Sequence, residues 1–261
     1  MTRATTAKER LASLRSWPSL RRVIGGYVDR MSSLPHSERA RFWLWRIAGR
    51  VLRPEIAGLL GGWDRAAASV LADADDFAAL YDRFRRALPE RVTTYHSEYD
   101  DQFRDAAVEM LGYHYFCDKS IGLHFAAEGP LSSPDMANGS IVVECKNFHT
   151  SQEERDYFRS EEVVARSVWG VFDVEQANPF LTKILKTVEE QVLPKLATYP
   201  PNEYRRYLFA NFSLDTVALV VESDCAEGKL AFFESLRDVL RRERSIELVA
   251  IEKYALERRV A

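Results

Sequence analysis

The feature that most constrains this chain is Ser133-Pro134-Asp135-Met136-Ala137-Asn138-Gly139-Ser140-Ile141-Val142-Val143-Glu144-Cys145-Lys146. Asn138-Gly139 is a two-residue turn signal and Ile141, Val142 and Val143 form a β-branched run, so the stretch predicts a tight hairpin. With that dipeptide as the loop, Ala137 faces Ser140, Met136 faces Ile141 and Asp135 faces Val142. Strand side chains alternate between faces, which puts Val142, Glu144 and Lys146 on one side together with Asp135. Val143 and Cys145 point the other way. Two carboxylates and an ammonium thus converge on one face of a small sheet, which a purely structural hairpin does not require.

The 261 residues allow one large domain, or a core with a smaller companion. No apolar run approaches the roughly 18 to 20 residues that cross a bilayer, and the first residues carry no signal-peptide core. Cys117, Cys145 and Cys225 are odd in number and far apart, without a disulfide or zinc pattern, which suits a reducing cytoplasm. The net charge is −3, but it is unevenly spread. Through Arg53 the chain carries twelve Lys and Arg against Glu9, Asp29 and Glu38, a local +9 that leaves −12 for the remainder. A basic arm beside an acidic body fits phosphate contacts and metal carboxylates, and equally fits solvated helix faces.

Residues 1 to about 90 read as helical throughout. Leu11, Leu14, Leu20 and Val23 give a loose stripe interrupted by Pro18 and ended by Gly25-Gly26. Ser37 is placed to cap a helix carrying Phe42, Trp43, Trp45, Ile47 and Val51, stopped by Pro54. Helices through Ala66 to Leu71 and Phe77 to Leu88 follow. The cluster Phe42-Trp43-Leu44-Trp45 is read as core rather than as a base-stacking surface. Next comes a helix after Ser97, with Phe103, Ala106, Ala107, Met110 and Leu111 on its apolar side and Gly112 as C-cap. Glu98, Asp101 and Asp105 stack along another side, a repulsive spacing that needs a cation or water.

Tyr113 to Cys117 and Ile121 to Ala126 read as strands before the hairpin. Gln152 to Glu162 reads as loop or exposed helix, and Trp169 to Val174 as a short apolar piece. Phe180, Ile184, Leu185, Val188 and Val192 form a helical stripe disturbed at Pro194. Tyr207 to Phe212 and Thr216 to Val221 read as strands, Phe232 to Leu240 as a helix and Ile246 to Ile251 as the last strand. The histidines His36, His96, His114, His124 and His149 show no zinc spacing, no glycine loop suits a phosphate and no serine sits in a nucleophile elbow.

Asp135, preceded by Pro134 and followed nine positions later by Glu144-Cys145-Lys146, resembles the signature of the PD-(D/E)xK nuclease superfamily. A second Glu-x-Lys, Glu227-Gly228-Lys229, has glycine in the middle and opens a helical pattern, so it lacks the strand geometry. The order from Glu98 onward, helix, about three strands, helix, strand, agrees with the restriction-endonuclease-like core of that superfamily. The expected fold is therefore α/β. A small mixed sheet flanked by helices (residues 91–261) follows an all-α region (residues 1–90) that would bind DNA or a partner.

The resemblance implies a metal-dependent nuclease using Mg²⁺, with Mn²⁺ substituting. It implies Asp135 and Glu144 as ligands, the Cys145 backbone carbonyl as a third, and Lys146 to orient or deprotonate the attacking water. It also implies an acidic residue on the preceding helix facing the metal, for which Glu98 and Asp101 both qualify by spacing. Gln191 and Lys195 match a position that faces the phosphate in some members. DNA is the implied substrate; RNA and a homodimer stay open. Phage defence and mobile-element biology both suit such an enzyme. The rival is a catalytically silent nucleic-acid-binding or interaction protein on the same fold, and the intact Asp-Glu-Lys set argues against it.

Overall fold

The computed structural model describes residues 14–48, 54–126, 133–148, 179–212 and 226–251. The expected features at Leu11, His149, Gln152–Glu162, Trp169–Val174, Thr216–Val221 and Cys225 lie outside them. The chain is α/β and divides into two compact units, between Ala127 and Glu128.

The first unit is built on helices. Its main members are α1 (Pro18–Ser33), α2 (His36–Arg39), α3 (Trp43–Ala48), α4 (Pro54–Val70), α5 (Ala74–Arg86) and α6 (Ser97–Asp118). Both prolines start helices where the sequence reading had them interrupting or stopping one. Pro18 and Pro54 are first residues, where the missing N–H has no helical partner to lose. Gly25-Gly26 does not end α1 either, because the helix runs on to Ser33. A Cβ on Gly26 would meet the Tyr81 hydroxyl at 3.0 Å, so glycine there admits the close approach of α5. Phe42, Trp43, Leu44 and Trp45 are all buried, as the core reading required. Trp43 lies 5.5 Å from Trp63 and Phe103 lies 4.6 Å from Tyr27, at ring separations typical of favourable aromatic pairs.

Helix α6 overturns the expected strand at Tyr113–Cys117. Phe103, Ala106, Met110, Tyr113 and Phe116 are buried at steps of three and four, one helical face, so the aromatic pair continues the apolar stripe. Gly112 is interior and buried, and not a C-cap. The helix ends at Ser120, in the left-handed region at φ 59°, with Ser120 N–H donating to Cys117 (2.8 Å) and Ile121 N–H to Phe116 (2.9 Å). That is the paired bonding which closes helices at a left-handed residue. Only His124–Phe125 of the expected Ile121–Ala126 strand is extended, as β1. With α6 in the first unit, the division falls at residue 127/128, against a reading that placed this helix with the α/β domain from residue 91.

The second unit is a small mixed sheet with helices. Strand β2 (Met136–Ala137) runs antiparallel to β3 (Ile141–Phe148), which is parallel to β4 (Arg205–Phe212), itself parallel to β5 (Glu247–Ile251). In β4 every residue from Tyr207 to Phe212 is buried, as expected for a strand with parallel neighbours on both sides. Val142, Phe148, Leu208 and Phe212 form a core with Ile184, Val188, Val192 and Leu196 from one helical segment and Phe233, Leu236 and Leu240 from another.

The first of those segments comprises α7 (Pro179–Thr187), a π-helical turn (Val188–Val192) and α8 (Leu193–Leu196). The second is α9 (Ala226–Arg244), whose first turn holds the Glu227-Gly228-Lys229 decoy. Ile184, Val188, Val192 and Leu196 recur at steps of four, which on an α-helix would drift by about 40° per step. The wider π turn absorbs the drift and keeps all four against the sheet. No helix among the described residues is long and apolar enough to cross a membrane.

Candidate active site

The hairpin forms one residue later than the turn signal suggests. Met136 faces Val143 and Ala137 faces Val142, so the loop is Gly139-Ser140 and the expected pairing shifts by two. The cause is the Asn138 side chain, which accepts from the N–H groups of Ser140 (2.9 Å) and Ile141 (2.8 Å), while Asn138 N–H donates to the Ile141 carbonyl (2.9 Å). Asparagine thus closes the turn from outside it. A shift of two preserves facing, since side chains alternate with period two. Glu144 and Lys146 therefore still share a face with Val142, and Asp135 falls beside Glu144.

Asp135 sits just before β2, where its side chain replaces the ladder. Its Oδ2 accepts from the Cys145 N–H at 2.7 Å. Within a strand the N–H and C=O of one residue project to the same edge, so the Cys145 carbonyl is directed to the Asp135 side. The Cys145 side chain is buried, as expected of a group doing no chemistry. Glu144 has no exposed surface. Its Oε1 lies 3.1 Å from Lys146 Nζ and 2.6 Å from Lys195 Nζ, and Lys195 Nζ is also 3.8 Å from Asp135 Oδ1. The other oxygen, Glu144 Oε2, is buried without a hydrogen-bond partner. Burial pushes the Glu144 carboxyl up to about 7, with the Asp135 charge adding to it and the two lysines opposing.

These residues fit a divalent cation. Two carboxylates stand together, one with an oxygen that no protein donor satisfies, and hard cations take carboxylate oxygen. The lysines supply the positive charge that the pair otherwise lacks.

The remaining expected ligands, Glu98 and Asp101, belong to the first unit. Glu98 is exposed in the first turn of α6, and Asp101 pairs with Arg104 at 3.7 Å. The buried acid of that turn is Asp100, which no spacing argument singled out. It accepts from Trp43 N–H at 3.0 and 3.1 Å and from the Tyr95 hydroxyl at 3.0 Å. It thereby caps α3 from a distance. Burial raises its pKa and the Trp43 hydrogen bonds oppose.

Several arginines of the basic N-terminal stretch are engaged inside the first unit. Arg30 donates to the Arg85 and Leu88 carbonyls at the end of α5, Arg39 lies over Trp45 and Arg41 over Tyr95.

A second polar cluster was missed in the sequence. Asp73, Asp76 and His124 bring ligand atoms within 4.8 Å of one another. Nothing local announces it, because His124 is 48 residues from Asp76. Asp76 is nearly saturated. Its Oδ1 accepts from Phe125 N–H (2.8 Å), and its Oδ2 accepts from the Tyr113 hydroxyl (2.8 Å) and lies 3.1 Å from His124 Nδ1. Asp73 caps α5 through the N–H groups of Asp75 and Asp76, which hold its pKa below the usual carboxylate range. This cluster ties α5, α6 and β1 together. Compared with protein-family models, curated proteins and solved structures, the chain matches none.

Proposed function

We propose that this chain is a metal-dependent nuclease of the PD-(D/E)xK class that hydrolyses phosphodiester bonds in DNA. The observation that carries the reading is Glu144: fully buried, with one oxygen on two ammonium groups and the other unpartnered, and Asp135 beside it. A buried carboxylate left half-satisfied costs stability, and a bound cation offsets that cost. The order of elements from α6 to β4, helix, three strands, helix, strand, supports the same reading.

Asp135 and Glu144 would hold the cation, with the Cys145 carbonyl directed to the same edge. When bound, a divalent cation neutralises charge on the scissile phosphate and acidifies water. Lys146, one strand period beyond Glu144 and with its ammonium 3.1 Å from that carboxylate, would orient the attacking water. On that face Val142, two residues before Glu144, and Phe148, two residues after Lys146, belong to the apolar core.

Supercoiled plasmid, single-stranded DNA and structured RNA, each incubated with Mg²⁺, Mn²⁺ or EDTA, test this. Cation-dependent cutting that disappears in Lys146→Ala is expected. Cutting confined to RNA would move the substrate, and no cutting together with no Mn²⁺ binding would leave a binding module.

A further inference from the structure

We infer that Lys195 is a displaceable internal counter-ion: its ammonium holds Asp135 and Glu144 together while no divalent cation is bound, and cation loading drives it out. The inference rests on the metal-centre reading above. Lys195 Nζ is 2.6 Å from Glu144 Oε1 and 3.8 Å from Asp135 Oδ1, so one ammonium bridges both carboxylates. Lys146 reaches Glu144 at 3.1 Å from along the same strand. A cation held by Asp135 together with both oxygens of Glu144 would compete with Lys195 for the oxygen that its ammonium contacts.

Charge points the same way. Among the described residues, two carboxylates and two ammonium groups balance before any metal arrives. A divalent ion would leave the cluster with two excess positive charges at contact distances, where like charges repel strongly in a partly desolvated setting. One ammonium must leave. Lys195 can do so, because its side chain is 24% exposed and its stem is long and flexible.

The helix is built to deliver it. The π turn at Val188–Val192 aligns Val192 and Leu196 with the core, and Pro194 lies in the first turn of the closing α-helical segment. Lys195 is then fixed immediately before the buried Leu196, at the carboxylates. Single π turns are costly insertions that recur at functional sites.

Calorimetric Mn²⁺ titration of the whole chain distinguishes this from a purely structural ion pair. Lys195→Met should bind Mn²⁺ roughly tenfold more tightly than wild type, since a competing charge is gone. It should also melt at a lower temperature without metal and show a larger rise with Mn²⁺. Lys195→Arg, which keeps the charge, should stay near the wild-type affinity. A Lys195→Met protein that is folded by circular dichroism, yet binds Mn²⁺ no better than wild type, overturns the inference while the metal centre stands. If neither protein binds Mn²⁺, the metal-centre reading falls and takes this inference with it. Should the methionine variant be unstable, Lys195→Gln gives the same comparison.

Discussion

Asp76 and Glu144 are both buried acids, one in each unit, and they are treated in opposite ways. Asp76 receives a backbone N–H and a tyrosine hydroxyl and lies beside a histidine nitrogen, so both oxygens have partners. Glu144 receives two ammonium groups on one oxygen and nothing on the other. The first arrangement ties three elements together and uses most of the Asp76 acceptor capacity, although the ligand atoms of Asp73, Asp76 and His124 stand close enough to hold an ion. The second is strained by desolvation and offers an oxygen. The difference teaches that burial of a carboxylate does not by itself mark a site; the state of its second oxygen does.

The contrast breaks most visibly in catalysis. Glu144→Gln and Lys146→Ala should each lower cation-dependent cleavage by about a thousandfold or more, on the order of 4 kcal/mol of barrier, in single-turnover assays. His124→Ala should leave both cleavage and Mn²⁺ affinity unchanged. Loss of Mn²⁺ binding in His124→Ala with retention in Glu144→Gln would reverse the assignment of the two clusters.

Next in size is the pH dependence of the metal-free chain. The Glu144 carboxyl titrates near 7 in the folded chain against an ordinary 4.5, so the native state holds its proton more tightly. Its contribution is fully present below about 4.5 and is lost as pH rises through about 7, a change on the order of 3 kcal/mol. Urea unfolding in EDTA across that window should show the decline. Mn²⁺ should flatten it, because the cation favours the ionised form. Glu144→Gln should remove the decline, whereas a profile unchanged by that substitution would place the titrating group elsewhere.

Asp76→Ala should cost about 2 to 3 kcal/mol of stability by urea titration, since it strands the Phe125 N–H and the Tyr113 hydroxyl. Its Mn²⁺ affinity should match wild type at a temperature where it stays folded. Asn138→Ala should cost least, about 1 kcal/mol, by removing the acceptor that closes the hairpin turn.

Local geometry alone puts Asp135, Glu144 and Lys146 on one face, because strand alternation follows from covalent geometry and survives a register shift of two. Periodicities of a few residues likewise set the run of helices to about residue 90, the stripe from Ile184 to Val192 with its disturbance near Pro194, and β4 and β5. Tertiary packing decided the rest. It carried α6 through Tyr113–Cys117, because Tyr113 and Phe116 found a helical core rather than a sheet. It chose Asp100, and neither Glu98 nor Asp101, as the buried acid of its turn. It brought His124 to Asp76 across 48 residues and Lys195 to Glu144 across 51. No local pattern encodes such pairs. Which distant side chains meet depends on how apolar faces pack, and an oxygen's free valence exists only once they have.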